Sequence, residues 1–237
     1  MALNHQIVPA QSEFKGLRPC VLMLHQATGN MNTFLPEAQR LSLLGFTCAL
    51  LEAPYSKKRN AISPRGLMNP DNEKKIWDQT CNELEEVSQL LLRLHGAGAM
   101  SFVGLNLGGS VGTYWMLKRK KPLRRAIVTG AIPDLTSFWL YSSHPVAQSA
   151  RAQVGILFSD FQLAMQPLDL TVTLPKITET QILVQIGSND DWISEESSRK
   201  LRTAIGDRPN VRITQENDDH SMMAAETVEN RVRFLTE

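Results

Sequence analysis

Apolar residues fall along this chain in short, nearly unbroken runs separated by stretches of helical spacing. Residues 20–26 (CVLMLHQ), 46–54 (FTCALLEAP), 100–105 (MSFVGL), 125–132 (RAIVTGAI) and 181–187 (QILVQIG) are such runs, and 211–216 (VRITQE) is a shorter, more polar one. Continuity without polar alternation predicts strands covered on both faces. Between them the period changes. Phe34, Ala38, Leu41 and Leu44 recur at helical intervals over 33–44, and Gly45 stops that pattern. Trp77, Leu84, Val87, Leu91 and Leu94 share one face of a longer helix, with Asp71 placed to cap its start. Residues 111–119 and 223–235 supply two more helices. Strands alternating with helices predict a mostly parallel sheet of six or seven strands with helices on both faces.

The rhythm breaks once, over 133–175, where Phe138, Trp139, Tyr141, Phe158 and Phe161 crowd an irregular segment. Residues 134–178 are therefore expected to form a small cap over the carboxyl edge of the sheet, within a single domain spanning 1–237. Phe138, Trp139, Tyr141 and Phe158 are expected to line or lid a pocket there, suited to a small apolar or acyl-type molecule.

Composition narrows the partners. A chain of 237 residues, 42% hydrophobic, can bury roughly 70–75% of its extended surface in one core. With 25 basic and 24 acidic side chains the formal charge is +1, and no global charge points to nucleic acid or an anionic membrane. Lys57-Lys58-Arg59 and Lys118-Arg119-Lys120-Lys121 are local basic runs, read as solvated surface. Cys20, Cys48 and Cys81 are widely spaced and form no CxxC pair, so neither a zinc site nor redox chemistry is expected. No apolar run reaches the ~18 residues of a membrane span, and the first residues lack the apolar core of a leader. A cytoplasmic setting, without metal or cofactor, is the expectation.

The chemistry concentrates in FVGLNLGGSVG, residues 102–112. Gly108-Gly109-Ser110-Val111-Gly112 matches the G-x-S-x-G of a serine nucleophile, but Gly104-Leu105-Asn106-Leu107-Gly108 has the same frame with asparagine at the apex. A nucleophile turn needs a buried strand leading in, a helix leading out, and small residues two positions to either side. The strand SFVGL feeds Asn106, whereas an apex at Ser110 would force the strand through NLG. Asn106 is thus placed at the turn and Ser110 in the helix.

Around that turn the chain resembles the α/β-hydrolase superfamily, over nearly its whole length from Pro19 onward. VLMLHQATGN is similar to the strand and oxyanion loop written H-G-x-x-G, and FVGLNLGG to the elbow written G-x-S-x-G-G. ILVQIGSNDDWIS is similar to the turn that brings the acid, and ENDDHSM to the loop that brings the histidine. The order Asn106, Asp190, His220 is the superfamily's nucleophile, acid and base order. The resemblance implies an α/β-hydrolase fold, and with only about nineteen residues ahead of CVLMLHQ the full N-terminal antiparallel pair is not expected. It makes Asp190 the acid, with neighbouring Asp191 as competitor, and His220 the base. It gives Ala27 and Leu107 the oxyanion-hole N–H groups and makes His25 a histidine that ties the loop down. It departs at two places, Gln26 for glycine in the oxyanion loop and Asn106 for serine.

Asparagine changes the reaction. Its amide nitrogen is delocalised and nucleophilically poor, and it has no hydroxyl proton to give a histidine. Without the nucleophile only ~10³–10⁴ of the acceleration over water remains, from the oxyanion hole and binding. Four readings stay open. The chain is a hydrolase-like binder; an enzyme of another mechanism, such as a lyase or a hydrolase using water activated by His220; an Asp-nucleophile hydrolase after deamidation of Asn106; or an ester hydrolase whose serine was substituted.

Overall fold

The computed structural model describes residues 4–11, 19–27, 29–56, 70–95, 99–153 and 158–237, with side chains at 70–73, 95, 153 and 158–161 left aside. In chain order the elements begin with β1 (His5–Val8), β2 (Cys20–Leu24), α1 (Leu35–Leu43), β3 (Thr47–Leu51), α2 (Pro70–His95), β4 (Met100–Leu105), α3 (Leu107–Lys118) and β5 (Arg125–Thr129). Four short helices follow: α4 (Leu135–Tyr141), α5 (Pro145–Gln153), α6 (Phe158–Met165) and α7 (Leu170–Thr173). The chain then runs through β6 (Gln181–Gly187), α8 (Glu195–Ile205), β7 (Val211–Glu216) and α9 (Ala225–Thr236).

The seven strands lie in the order β1-β3-β2-β4-β5-β6-β7, with only β1 antiparallel to its neighbour. Central β4 pairs Phe102 with Leu22 on one side and with Ala126 on the other. All six of its residues are buried, which is why the run reads as continuously apolar. Alternate side chains nonetheless go to different layers, because successive strand residues point to opposite faces. Leu22, Leu24, Leu51, Phe102 and Val128 join the core under α2, α3 and the 135–173 helices. Val21, Met23, Leu50, Val103 and Ile127 join Phe34, Leu41, Val232 and Leu235 of the α1–α9 layer.

Several boundaries differ from the sequence expectation. The runs at 20–26, 46–54 and 125–132 leave the ladder at Leu24, Leu51 and Thr129, and their last residues become loops at the carboxyl edge. The backbone groups freed there find other partners; the Ala53 N–H, for one, donates to the His25 ring. The helix expected over 33–44 begins with a 3₁₀ turn, Met31–Phe34, started by the Asn30 side chain, and Gly45 ends it with φ +90°. Asp71 lies inside α2, after Pro70, so it does not precede the helix as expected. β1 was not expected from the pattern: it is a half-buried edge strand with only Val8 enclosed. The basic run at 57–59 lies outside the described residues. The one at 118–121 is partly neutralised by α2, through Lys118 to Asp78 at 2.6 Å and Arg119 to Glu85 at 3.2 Å. Among the described residues no helix is long and apolar enough to cross a membrane.

Candidate functional site

The sheet delivers Asn106 at the sharp turn from β4 into α3, with φ 52° and ψ −120°. Among the described residues only Asn106 and Met222 combine a side chain with positive φ. Such a conformation persists only where its surroundings over-determine it. Here they do. The Asn106 N–H donates to the Thr129 carbonyl at 2.8 Å, extending the β4–β5 ladder, while its own carbonyl accepts from Gly109 at 2.8 Å to start the helix. Glycine is required on both sides by close approach. A Cβ at Gly104 would sit 2.6 Å from the Gly108 carbonyl oxygen, and one at Gly108 would run into the carbonyls of Leu24 and His25. Ser110 is enclosed in α3, 1% exposed, and its carbonyl accepts from the Thr113 hydroxyl. The G-x-S-x-G at 108–112 therefore has no turn at its serine.

His220 comes from the loop between β7 and α9. Its Nδ1 lies 3.0 and 2.9 Å from the two carboxylate oxygens of Asp190, and its Nε2 contacts the side-chain amide nitrogen of Asn106. A carboxylate only accepts, so Nδ1 carries the proton and Nε2 receives an amide hydrogen. The Asp190 side chain is itself enclosed, and its Oδ1 also accepts from the Trp192 N–H at 2.9 Å and the Ile193 N–H at 3.3 Å. The competing Asp191 is 80% exposed and faces His144 at 3.9 Å. Asp218 accepts from the Ala224 N–H at 2.8 Å, at the start of α9, instead of reaching His220.

The loop after β2 is tied down through His25, which is fully enclosed. Its Nδ1 donates to the Gln26 carbonyl at 2.6 Å and its Nε2 accepts from the Ala53 N–H at 3.1 Å. Tyr55 adds a hydroxyl donated to the His25 carbonyl at 2.8 Å. Burial lowers the His25 pKa, against the opposing pull of the Gln26 carbonyl and Glu52, so the ring is a neutral strut. The Gln26 side-chain amide lies over its own turn, against Gly29, and its Oε1 is enclosed without a hydrogen-bond partner among the described residues. The N–H groups of Ala27 and Leu107 likewise meet no acceptor among the described residues.

The aromatics divide. Phe138 is buried and stacks on Trp192 with centroids 5.5 Å apart; Trp139 is half-buried, and its carbonyl accepts from Arg151. Tyr141 stands 72% exposed instead of packing with them. Phe158 opens α6, and its side chain lies outside the described residues, as does that of Phe161. Trp192 itself is a neighbour that the sequence reading missed. Its ring lies parallel to His220, and His144 packs 4.4 Å away on the same indole. The only sequence signal was a tryptophan two positions after Asp190. Among the described residues no group of three or more His, Cys, Asp and Glu side chains is arranged to hold a metal ion.

No family model matches the sequence, and no curated protein does either. Solved structures do. TT1662 from Thermus thermophilus superposes with a TM-score of 0.72 at 16% identity, covering 99% of this chain and 92% of that one. Esterase PE8 superposes at 0.67 with 15% identity, covering 100% and 99%. The Pyrococcus horikoshii acylaminoacyl peptidase superposes at 0.71 with 14% identity, and 98% of this chain covers 38% of that longer one. At such identities the likeness carries the architecture, and the architecture is the α/β-hydrolase fold.

Proposed function

We propose that this α/β-hydrolase-fold protein binds a small apolar or acyl-type molecule at Asn106, and is a binder or a weak, non-standard enzyme rather than an ordinary esterase. In this reading Asp190 and His220 keep the roles of acid and base, Leu107 and Ala27 supply the oxyanion N–H groups, and Asn106 stands where a serine would be. The observation that carries it is the amide-to-imidazole contact between Asn106 and His220 with Asp190 behind the ring. It reproduces the bonding order of a nucleophile, base and acid, but the group in front of the base has no proton whose loss makes a nucleophile. Free N–H groups beside it favour an oxygen-bearing ligand such as a carboxylate or ester carbonyl.

The test is esterase kinetics. The protein as it stands is expected to turn over short-chain p-nitrophenyl esters poorly, and Asn106→Ser to raise turnover by ~10²–10⁴-fold. Strong activity in the Asn106 protein that vanishes on Ser110→Ala would overturn the reading.

A further inference from the structure

We infer that Asn106 is a self-modification site: its side chain closes onto the Leu107 backbone nitrogen to form a succinimide, which water opens to aspartate. The inference rests on the reading of Asn106 as the residue that faces the reacting atoms, and it adds a covalent change of that residue.

Stereochemistry carries the argument. In an L-residue the Cβ lies about 120° counter-clockwise from the nitrogen when viewed along the Cα–C bond. A ψ of −120° therefore eclipses the next residue's nitrogen with Cβ, and Asn106 has that value. Ring closure between Asn106 Cγ and the Leu107 nitrogen needs this syn arrangement, since the five-membered ring contains Cβ, Cα, C and that nitrogen. A flexible chain seldom visits it, because this corner of backbone space is sterically disfavoured for residues with a Cβ. The fold imposes it through the Thr129 carbonyl, the close approach at Gly104 and Gly108, and the start of α3. One of the two torsions needed for attack is thus already set, and only a turn about the Asn106 Cα–Cβ bond remains.

Two further contacts agree. The Leu107 N–H meets no acceptor among the described residues, so its loss breaks no hydrogen bond within them. The leaving nitrogen, Asn106 Nδ2, touches His220 Nε2. In the first step the Leu107 nitrogen bonds to Cγ, the Cγ–Nδ2 bond breaks, and the Leu107 proton goes to solvent. His220 takes a proton from solvent and delivers it to Nδ2, so that ammonia departs. In the second step one water adds to the imide at Cγ; its oxygen stays as carboxylate and one hydrogen restores the Leu107 N–H. The second hydrogen of the water leaves as a proton, so the sum is amide plus water giving carboxylate plus ammonium, with no oxidant or cofactor. The product places a carboxylate, a competent nucleophile, in front of His220 and Asp190.

The experiment follows mass and needs no substrate. Purified full-length protein is held at mildly alkaline pH beside an identical sample unfolded in urea, and both are sampled by intact mass and peptide mapping. The folded protein is expected to show first a loss of ammonia's mass and then the exchange of NH for O, both mapping to position 106. The rate should be ~10-fold or more above that of the unfolded chain, since the fold presets the attack geometry. Hydroxylamine should trap the intermediate there as a hydroxamate. His220→Phe, which keeps a ring against Trp192 but has no nitrogen, is expected to slow the conversion; an unchanged rate overturns the assignment of the proton to His220. An Asn106 that stays amide in the folded protein while the unfolded chain converts as fast or faster overturns the inference. A gain of esterase activity in Asn106→Ser without conversion here would leave the site reading standing and sink this one, and the reverse pattern would do the opposite.

Discussion

Trp192 and His220 lie face to face, their ring centroids 4.7 Å apart and their planes within 8° of parallel. Trp192 also donates its backbone N–H to Asp190, so one residue braces the imidazole from the side while orienting the carboxylate behind it. Phe138 stacks on the same indole, which extends this brace into α4. Aromatic pairs of this kind are worth ~0.5–1.5 kcal/mol beyond their buried area.

Replacing Trp192 should therefore loosen the His220 ring without unfolding the chain. Trp192→Ala in the Asn106→Ser background is expected to reduce kcat more than it changes KM, while Trp192→Phe keeps most of the turnover. Equal kinetics for Trp192→Ala and its parent would mean that the stack does not hold His220.

A buried ion pair anchors the same loop from below. Arg231 and Glu37 are both enclosed, joined at 2.9 Å, and Arg231 also donates to the carbonyl of Met222 at 2.8 Å. Removing one partner strands the other charge, so Arg231→Met should lower stability by ~3–5 kcal/mol in denaturant unfolding. The double change with Glu37→Gln should recover part of that loss, because no charge is then left unpaired.

Asp169 gives the 135–173 helices a pH response. Burial pushes its carboxyl up to about 6, against the opposing hydrogen bonds from the Thr136 N–H and hydroxyl, with Asp134 adding to the rise. A folded pKa above the unfolded value means that the native state holds the proton more tightly between about pH 4 and 6. Stability from this group is then fully present below that window and lost as pH rises through it, by an amount on the order of 3 kcal/mol. Asp169→Asn should flatten the dependence in thermal melts; an unchanged slope would place its origin elsewhere.

The thiols should be silent. Burial raises Cys20 to about 11 and Cys81 to about 12, and raises Cys48 further. Thiolate is the reactive form, so alkylation at neutral pH is expected to label none of the three in the folded protein and all of them in urea. Rapid labelling of Cys81 in the native state would contradict the burial seen for it.

The parts legible in the sequence were those that depend on continuous burial. MSFVGL had to be a strand covered on both faces, and that alone moved the turn from Ser110 to Asn106. The spacing of Asp190 from Gly187 put it at the end of β6, where the loop carrying His220 comes down beside it. Contacts across the site were not legible. An aromatic-rich segment reports that something packs, not which ring is enclosed, so Tyr141 and Phe138 looked alike, yet Phe138 is buried and Tyr141 is exposed. Trp192 was overlooked because a stacking partner leaves no periodic trace. β1 was overlooked for a related reason: a short edge strand buries one face and presents too few alternating residues to stand out.

The turn at Asn106 is held by backbone groups and by the absence of side chains at Gly104 and Gly108, not by the apex side chain. The apex is thus close to a free variable of the scaffold, and chemistry on such a frame is set by what is mounted there. Asparagine and serine codons can differ by a single base. A frame held in this way can therefore exchange one side chain for the other in one mutational step with the turn itself left in place.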